Sequence, residues 1–414
     1  MLTKISNFFR RLDRLERETF KYLLLAQSFN GLCLGVLILQ EVILRKTLSG
    51  SSLQITILTM INPVANLFII FMMDMFSRLH RRRMIFIMLG VFGKLILVLT
   101  LFAKSSLNFL TILIVYSILS VLLNPFFTRI MQTNIRPKNR GILYGITGSA
   151  GTLFSVIISI YAGYILDFNE TYFKMLFAFA GIMGFLCCYF YSKINVNESQ
   201  YERNSKKIDF FTPIKNALKI LKNDRDFMLY EAFFFIYGIG FMIVLPSIPI
   251  FFVDKLNLDY SQISMAKGFI GQAGIILFLP LMGFFNDRIN PMLFSSAAFI
   301  LLSFYPLILF MTVFSANPVN LVYVAFAVFS VSMAAVTVLW DLSTIFFAKE
   351  KDSKDYQIVH IFLTGIRGLI IPFLGYLILK RFGVSAVFLT SAVFYIIASV
   401  SMLFFYFSYK RRKA

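Results

Sequence analysis

Apolar runs of about 20 residues, separated by short polar connections, recur from one end of the chain to the other. They predict twelve membrane spans, at 21–44, 53–74, 84–104, 108–132, 142–166, 172–192, 228–252, 262–285, 291–314, 320–346, 357–379 and 384–408. The dyad alternation of a membrane barrel is missing, so helices are the expected element. One long polar stretch, residues 195–227, divides the spans six and six, which gives an N-terminal bundle at 21–194 and a C-terminal bundle at 228–408. Inside that linker Ile214, Leu218 and Leu221 recur at helical spacing beside Lys215, Lys219 and Lys222, the pattern of an amphipathic helix lying on a membrane surface. The arm at 1–20 repeats it, with Leu2, Ile5, Phe9 and Leu12 set against Arg10, Arg11, Arg14 and Arg17, and a basic tail closes the chain at 409–414. The halves echo each other at an offset of about 212 residues: AGYILD at 162–167 answers LGYLIL at 374–379, and MDMFSRLHRRR at 73–83 answers NDRIN at 286–290.

Composition agrees with the pattern. Residues are 58% hydrophobic and 14% charged, where soluble domains are nearer half and a quarter. The net charge of +20 would suit a nucleic-acid partner if it were scattered, but most of the 40 lysines and arginines fall on the side that carries both termini. That is the positive-inside asymmetry, which predicts cytoplasmic termini and makes nucleic acid unnecessary. Cys33, Cys187 and Cys188 all fall inside spans and suggest neither a disulfide framework nor a metal cluster. No cofactor is expected. With two histidines, no phosphate-binding loop and no nucleophile elbow, the chain does not look like an enzyme or an ATP-driven pump.

Polar side chains are costly in hydrocarbon, so their helical phase is informative. Gln27, Asn30 and Glu41 share one face of the first span; Tyr116, Ser120 and Asn124 do so in the fourth, and Ser330, Thr337 and Asp341 in the tenth. The seventh offers Glu231 and Tyr237 before Pro246 and Pro249, which should loosen its outer half. In the eleventh, His360, Thr364 and Arg367 occupy one face. Asp341 would lie roughly 9 Å in from the inner surface and Arg367 roughly 15 Å in, a gap an arginine can bridge, so a pair between them is expected, as part of a site or as a lock between helices. Lys267 has Gly271 and Gly274 nearby, and Lys94 belongs to the third span. These three cations outnumber Glu41 and Asp341, which leans toward an anionic solute. Asp341, Glu231 and Glu41 are the carboxylates able to carry a coupling proton.

The chain resembles the major facilitator superfamily over nearly its whole length. The loop after the second span keeps Asp74 and the cluster Arg78, Arg81, Arg82 and Arg83 of that family's motif, with Ile70 and Ser77 in place of its glycines. In the second half, GFFNDR keeps Gly283, Asp287 and Arg288, and RPKNRG ends in Arg140 and Gly141 before the fifth span. The proline of the family's antiporter signature is missing from SIYAG at 159–163; IPFLG at 371–375 lies in a different helix.

The resemblance implies two pseudo-symmetric six-helix bundles and a cavity lined by the first, fourth, seventh and tenth helices, with an inner gate at Asp74, Asp287 and Arg288. The expected cavity residues are Gln27, Asn30, Glu41, Asn124, Tyr237, Lys267, Asp341, Thr364 and Arg367. It further implies a monomeric secondary transporter in a bacterial cytoplasmic membrane, with a small-molecule solute, the lipid bilayer and a coupling proton or ion as partners. Drug or metabolite efflux by proton antiport is the alternative; a membrane sensor or lipid-handling protein on the same fold is another.

Overall fold

A backbone in hydrocarbon has to satisfy its own amides, and helices do so within one segment. The computed structural model describes residues 12–77, 82–195, 212–348 and 353–413, and among these the secondary structure is helical with no strand. Nine of the described helices are long and apolar enough to cross a membrane. Helix Arg14–Lys46 carries the first predicted span and begins well ahead of it, because Asp13 caps it by accepting the Glu16 amide at 2.7 Å. The second span is helix Ser52–Ser77 and the third Arg83–Phe102, which widens into a π-turn at Leu89–Lys94 and then tightens. The fourth is in two pieces, Ser106–Val121 and Leu123–Asn134.

Pro137–Phe168, Glu170–Ser192, Arg225–Lys255, Tyr260–Asn286, Pro291–Thr312 and Pro318–Ala348 carry the fifth to tenth spans. The eleventh and twelfth lie in Tyr356–Arg412, which reverses at Gly383, where φ of 80° strains any residue with a Cβ. The seventh span breaks after Val244, at Leu245 and Pro246, as its prolines predict. The linker contains helix Thr212–Asn223.

Close approach between helices depends on small residues, since apolar surface alone gives little preference for helix over lipid. In the N-terminal half Gly31 lies directly against the Gly151 carbonyl, so the first and fifth helices cross with their backbones almost touching. In the C-terminal half Gly238 leaves the space that the Arg367 guanidinium fills. Among the described residues, small residues bring the halves together along two of the lines where they meet. Gly365 and Gly368 of the eleventh span pack on Leu67 and Pro63 of the second, and the fifth packs on the eighth.

The fifth-to-eighth contact fixes the state of the molecule. Residues 141, 145, 148, 152, 155, 159 and 163 follow one face of the fifth helix. On the half far from the chain termini this face is in tight contact: a Cβ on Gly163 would lie 2.6 Å from Ser264 Oγ, and Ser159 abuts Gly268. On the half nearer the termini, Gly141, Gly145 and Gly148 meet open space, as does Gly283 at the matching end of the eighth helix. The bundles are therefore closed on the far face and parted on the termini face.

Candidate functional site

Where the bundles part, a cavity of about 240 Å³ lies between the first, fourth, fifth and eighth helices. Its polar lining comprises Gln27, Asn30, Tyr144, Thr152, Ser155 and Gln272, with Phe127 as the aromatic wall. Gln27 Nε2 donates to Tyr191 at 3.0 Å, and Ser155 Oγ reaches Gln272 Oε1 at 3.4 Å across the boundary between halves. Among the described residues that line it, none carries a formal charge. Gln27 and Asn30 thus share the cavity, as their common face in the first span implies.

The rest of the first span's polar face serves the far side. Glu41 accepts from Lys267 Nζ at 2.9 Å, pairing the first helix with the eighth at 21% exposure of each side chain. One turn on, Arg45 clasps Asp254 with two hydrogen bonds, of 2.9 and 2.5 Å, and donates to the Gly50 carbonyl at 2.7 Å. Lys46 donates to the Leu258 carbonyl at 3.1 Å and Thr47 meets the Tyr260 hydroxyl. From the fifth helix, Asp167 accepts the backbone amides of Tyr260 and Ser261 at 2.7 and 3.0 Å, so a carboxylate from one half caps the positive end of a helix in the other. Apart from the Arg45–Gly50 bond, these polar links tie the N-terminal half to the C-terminal half across the far face.

Arg367 is elsewhere. It is 3% exposed and lies across the seventh helix, donating to the carbonyls of Phe234 at 2.9 Å and Phe235 at 3.4 Å and to Thr364 Oγ1 at 3.2 Å. Tyr237 stacks on Phe299 with ring centres 4.5 Å apart and sits in the C-terminal bundle interior. Glu231 faces His360, whose Nδ1 is 2.9 and 3.0 Å from its two carboxylate oxygens. In the other half Lys94 donates to the Tyr116 hydroxyl at 3.1 Å, with Cys33 Sγ 3.5 Å from the same oxygen, so this lysine and tyrosine are also held inside a bundle.

Asp287 and Arg288 are exposed at the parted face, with the Arg288 guanidinium 3.7 Å above the Phe284 ring. Among the described residues neither bonds across to the other half. Asp74, Asn124 and Asp341 have side chains outside the described residues, and with Asp341 the expected partnership with Arg367. On the termini face Glu16, fully buried, accepts from Arg136 and Asn139, and its carboxylate raises the affinity of the Arg136 guanidinium for its proton above the ordinary arginine value.

Sequence reasoning missed the clasp formed by Arg45, Asp254 and Asp167. A signal was present: Arg45 and Lys46 are cations on the side that the positive-inside rule depletes. The Glu231–His360 pair joins residues 129 positions apart, which no local periodicity connects.

The family model for the Major Facilitator Superfamily matches residues 23–353 and 234–414. A search of curated protein sequences finds no significant match. Similar solved structures include a POT family transporter bound to a thioalcohol-conjugated peptide, with a TM-score of 0.74 at 13% identity, covering 93% of this chain and 95% of that one. A mutant of the nucleoside transporter NupG gives a TM-score of 0.70 at 14% identity over 93% and 99% of the two chains. A bacterial homologue of the human lysosomal transporter Spinster, inward-facing and unoccupied, gives 0.65 at 16% identity over 95% and 99%.

Proposed function

Because the chain belongs to the Major Facilitator Superfamily and is a multi-pass membrane protein, we propose that it is a secondary transporter that moves a small solute by rocking its two halves about the cavity at Gln27, Asn30 and Gln272. The observation that carries this is the single face of the fifth helix, packed on the eighth at Gly163 and open at Gly148. Two halves that close on one side while parting on the other form half of an alternating-access cycle. The termini face, where the cations gather, is taken as cytoplasmic, in a bacterial cell membrane, and Asp74, Asp287 and Arg288 as the gate that forms when that face shuts.

The described lining favours a solute that both donates and accepts hydrogen bonds, since amides and hydroxyls offer both. Negative charge on the solute would be met by Lys267, which Glu41 occupies while the far face is closed. Among the carboxylates proposed to carry a coupling proton, Glu41 is thereby tied to the clasp and Glu231 to His360.

A library of metabolites and drugs screened for thermal stabilisation should reveal the solute, because a ligand of the folded state raises stability by mass action. Counterflow in proteoliposomes then tests movement. Asn30→Ala combined with Gln272→Ala should weaken binding by about tenfold or more, each lost hydrogen bond contributing about 0.5–1.5 kcal/mol. A ligand that binds but never crosses, or one unaffected by the double change, would remove the cavity from the mechanism.

A further inference from the structure

Two glutamines of the cavity are engaged at opposite ends. Gln27 of the first helix donates from Nε2 to the Tyr191 hydroxyl at 3.0 Å, so its carbonyl Oε1 is the end without a protein partner among the described residues. Gln272 of the eighth helix is held the other way round: its Oε1 accepts from Ser155 Oγ at 3.4 Å, and its amino group is left over. A carboxamide is an acceptor at one end and a donor at the other, so the two side chains present different chemistry to a solute. Gln27 offers an acceptor and Gln272 a donor.

Tyr191, from the sixth helix, fixes the first of these. It is 5% exposed; its ring stacks on Phe86 of the third helix with centres 5.6 Å apart and meets Phe127 of the fourth edge-on at 6.4 Å. Held by rings on two sides, the hydroxyl stays at Gln27. Phe127 is also the aromatic wall of the cavity and lies 5.9 Å from the Tyr144 ring of the fifth helix. One aromatic cluster thus orients Gln27 and supplies a flat apolar surface beside it.

The fifth helix sets the spacing. Gln27 packs at Gly151, where an added Cβ would lie 2.9 Å from the Gln27 backbone carbonyl oxygen, and Ser155, which holds Gln272, is one turn further on, about 6 Å along the axis. Asn30, one turn after Gln27 on the first helix, has neither end of its amide engaged among the described residues. The cavity volume of about 240 Å³ is below the roughly 300–1,000 Å³ of sites that take drug-sized ligands, so the group it receives is small.

Given that this cavity is the solute site of the transporter reading, we infer that it receives a flat, ring-borne amide, such as a lactam or an aromatic carboxamide. The amide N–H of the solute donates to Gln27, its carbonyl accepts from Gln272, and its ring lies against Phe127. Tyr191 is the positioning residue that sets this direction, although it is not part of the lining. Methylating the amide nitrogen removes the donor and turns a methyl group toward Gln27 Oε1, so the methylated solute should bind about tenfold more weakly.

Benzamide and isoindolinone serve as probes, each compared with its fully N-methylated form by calorimetric titration of the purified full chain. At least one parent compound should bind, about tenfold more tightly than its methylated form. Tyr191→Phe frees the Gln27 amide to turn either end to the solute, so this preference should fall several-fold. Gln27→Met, which leaves the aromatic cluster intact, should erase it. Failure of both parent compounds to bind, equal binding of a parent and its methylated form, or a preference that persists in Gln27→Met overturns the inference; an unchanged preference in Tyr191→Phe overturns the role of Tyr191. If neither probe binds while another solute is carried in counterflow, the transporter assignment survives the loss. Probes that bind with the expected preference in a protein that moves no solute sink that assignment and leave the inference standing.

Discussion

The Glu231→Leu variant is expected to lose about 3–5 kcal/mol of stability, a shift large enough to prevent accumulation of a marginal membrane protein. The change strips His360 Nδ1 of its partner and removes the one carboxylate that, among the described residues, lies within electrostatic reach of the Arg367 guanidinium, itself 3% exposed. Arg367 cannot retreat to water, because it lies across the seventh helix in space that only a glycine at 238 leaves free. The Arg367→Met change relieves this, so the double variant Glu231→Leu with Arg367→Met should be more stable than Glu231→Leu alone. Unfolding in mixed micelles measures both. Losses that add independently would show that the two charges do not balance each other.

The second large effect is on which face is open. Asp254→Arg should place two guanidiniums where a bidentate pair now sits, between side chains 25% and 32% exposed. At that exposure the pair contributes about 1 kcal/mol, and the repulsion that replaces it adds a comparable amount. Together this is enough to open the far face at least about tenfold more often. Ser264→Cys is a suitable reporter, since residue 264 is fully buried where the fifth and eighth helices meet. Its alkylation should accelerate by about that factor, and the exchange Arg45→Asp with Asp254→Arg should slow it again. Equal rates in all three backgrounds would mean that the clasp is an incidental surface contact.

Sequence and structure agree on the elements because hydrophobic length is read residue by residue: each of the twelve stretches carries helix, and the proline pair at 246 and 249 marks a real interruption. The polar faces were legible only in part. Gln27 and Asn30 do share a cavity, yet Glu41, on the same stripe, points to the closed side, because a helix of some 30 residues passes through both halves of an hourglass. Phase says which face a residue occupies and not which neighbour will stand opposite it. Arg367 needs more than phase to place it: among the described residues its hydrogen bonds go to backbone carbonyls of the seventh helix and to Thr364, and the side chain of Asp341, the partner its depth suggested, lies outside them. The clasp from Asp167 to the amides of Tyr260 and Ser261 has no sequence signature, since the acceptor side chain and the donor backbone belong to different halves.

Alternation of the two faces is the claim on which the rest depends, and a disulfide tests it most directly. Cysteines at 163 and 264 would lie close enough to bond, given the 2.6 Å between a Cβ at 163 and the present Ser264 Oγ. The native cysteines are buried and inside other spans. Oxidation of the Gly163→Cys, Ser264→Cys protein should hold the far face shut and abolish solute counterflow, and reduction should restore it. Counterflow that proceeds at the same rate with the bond formed would show that solute does not cross between these two halves.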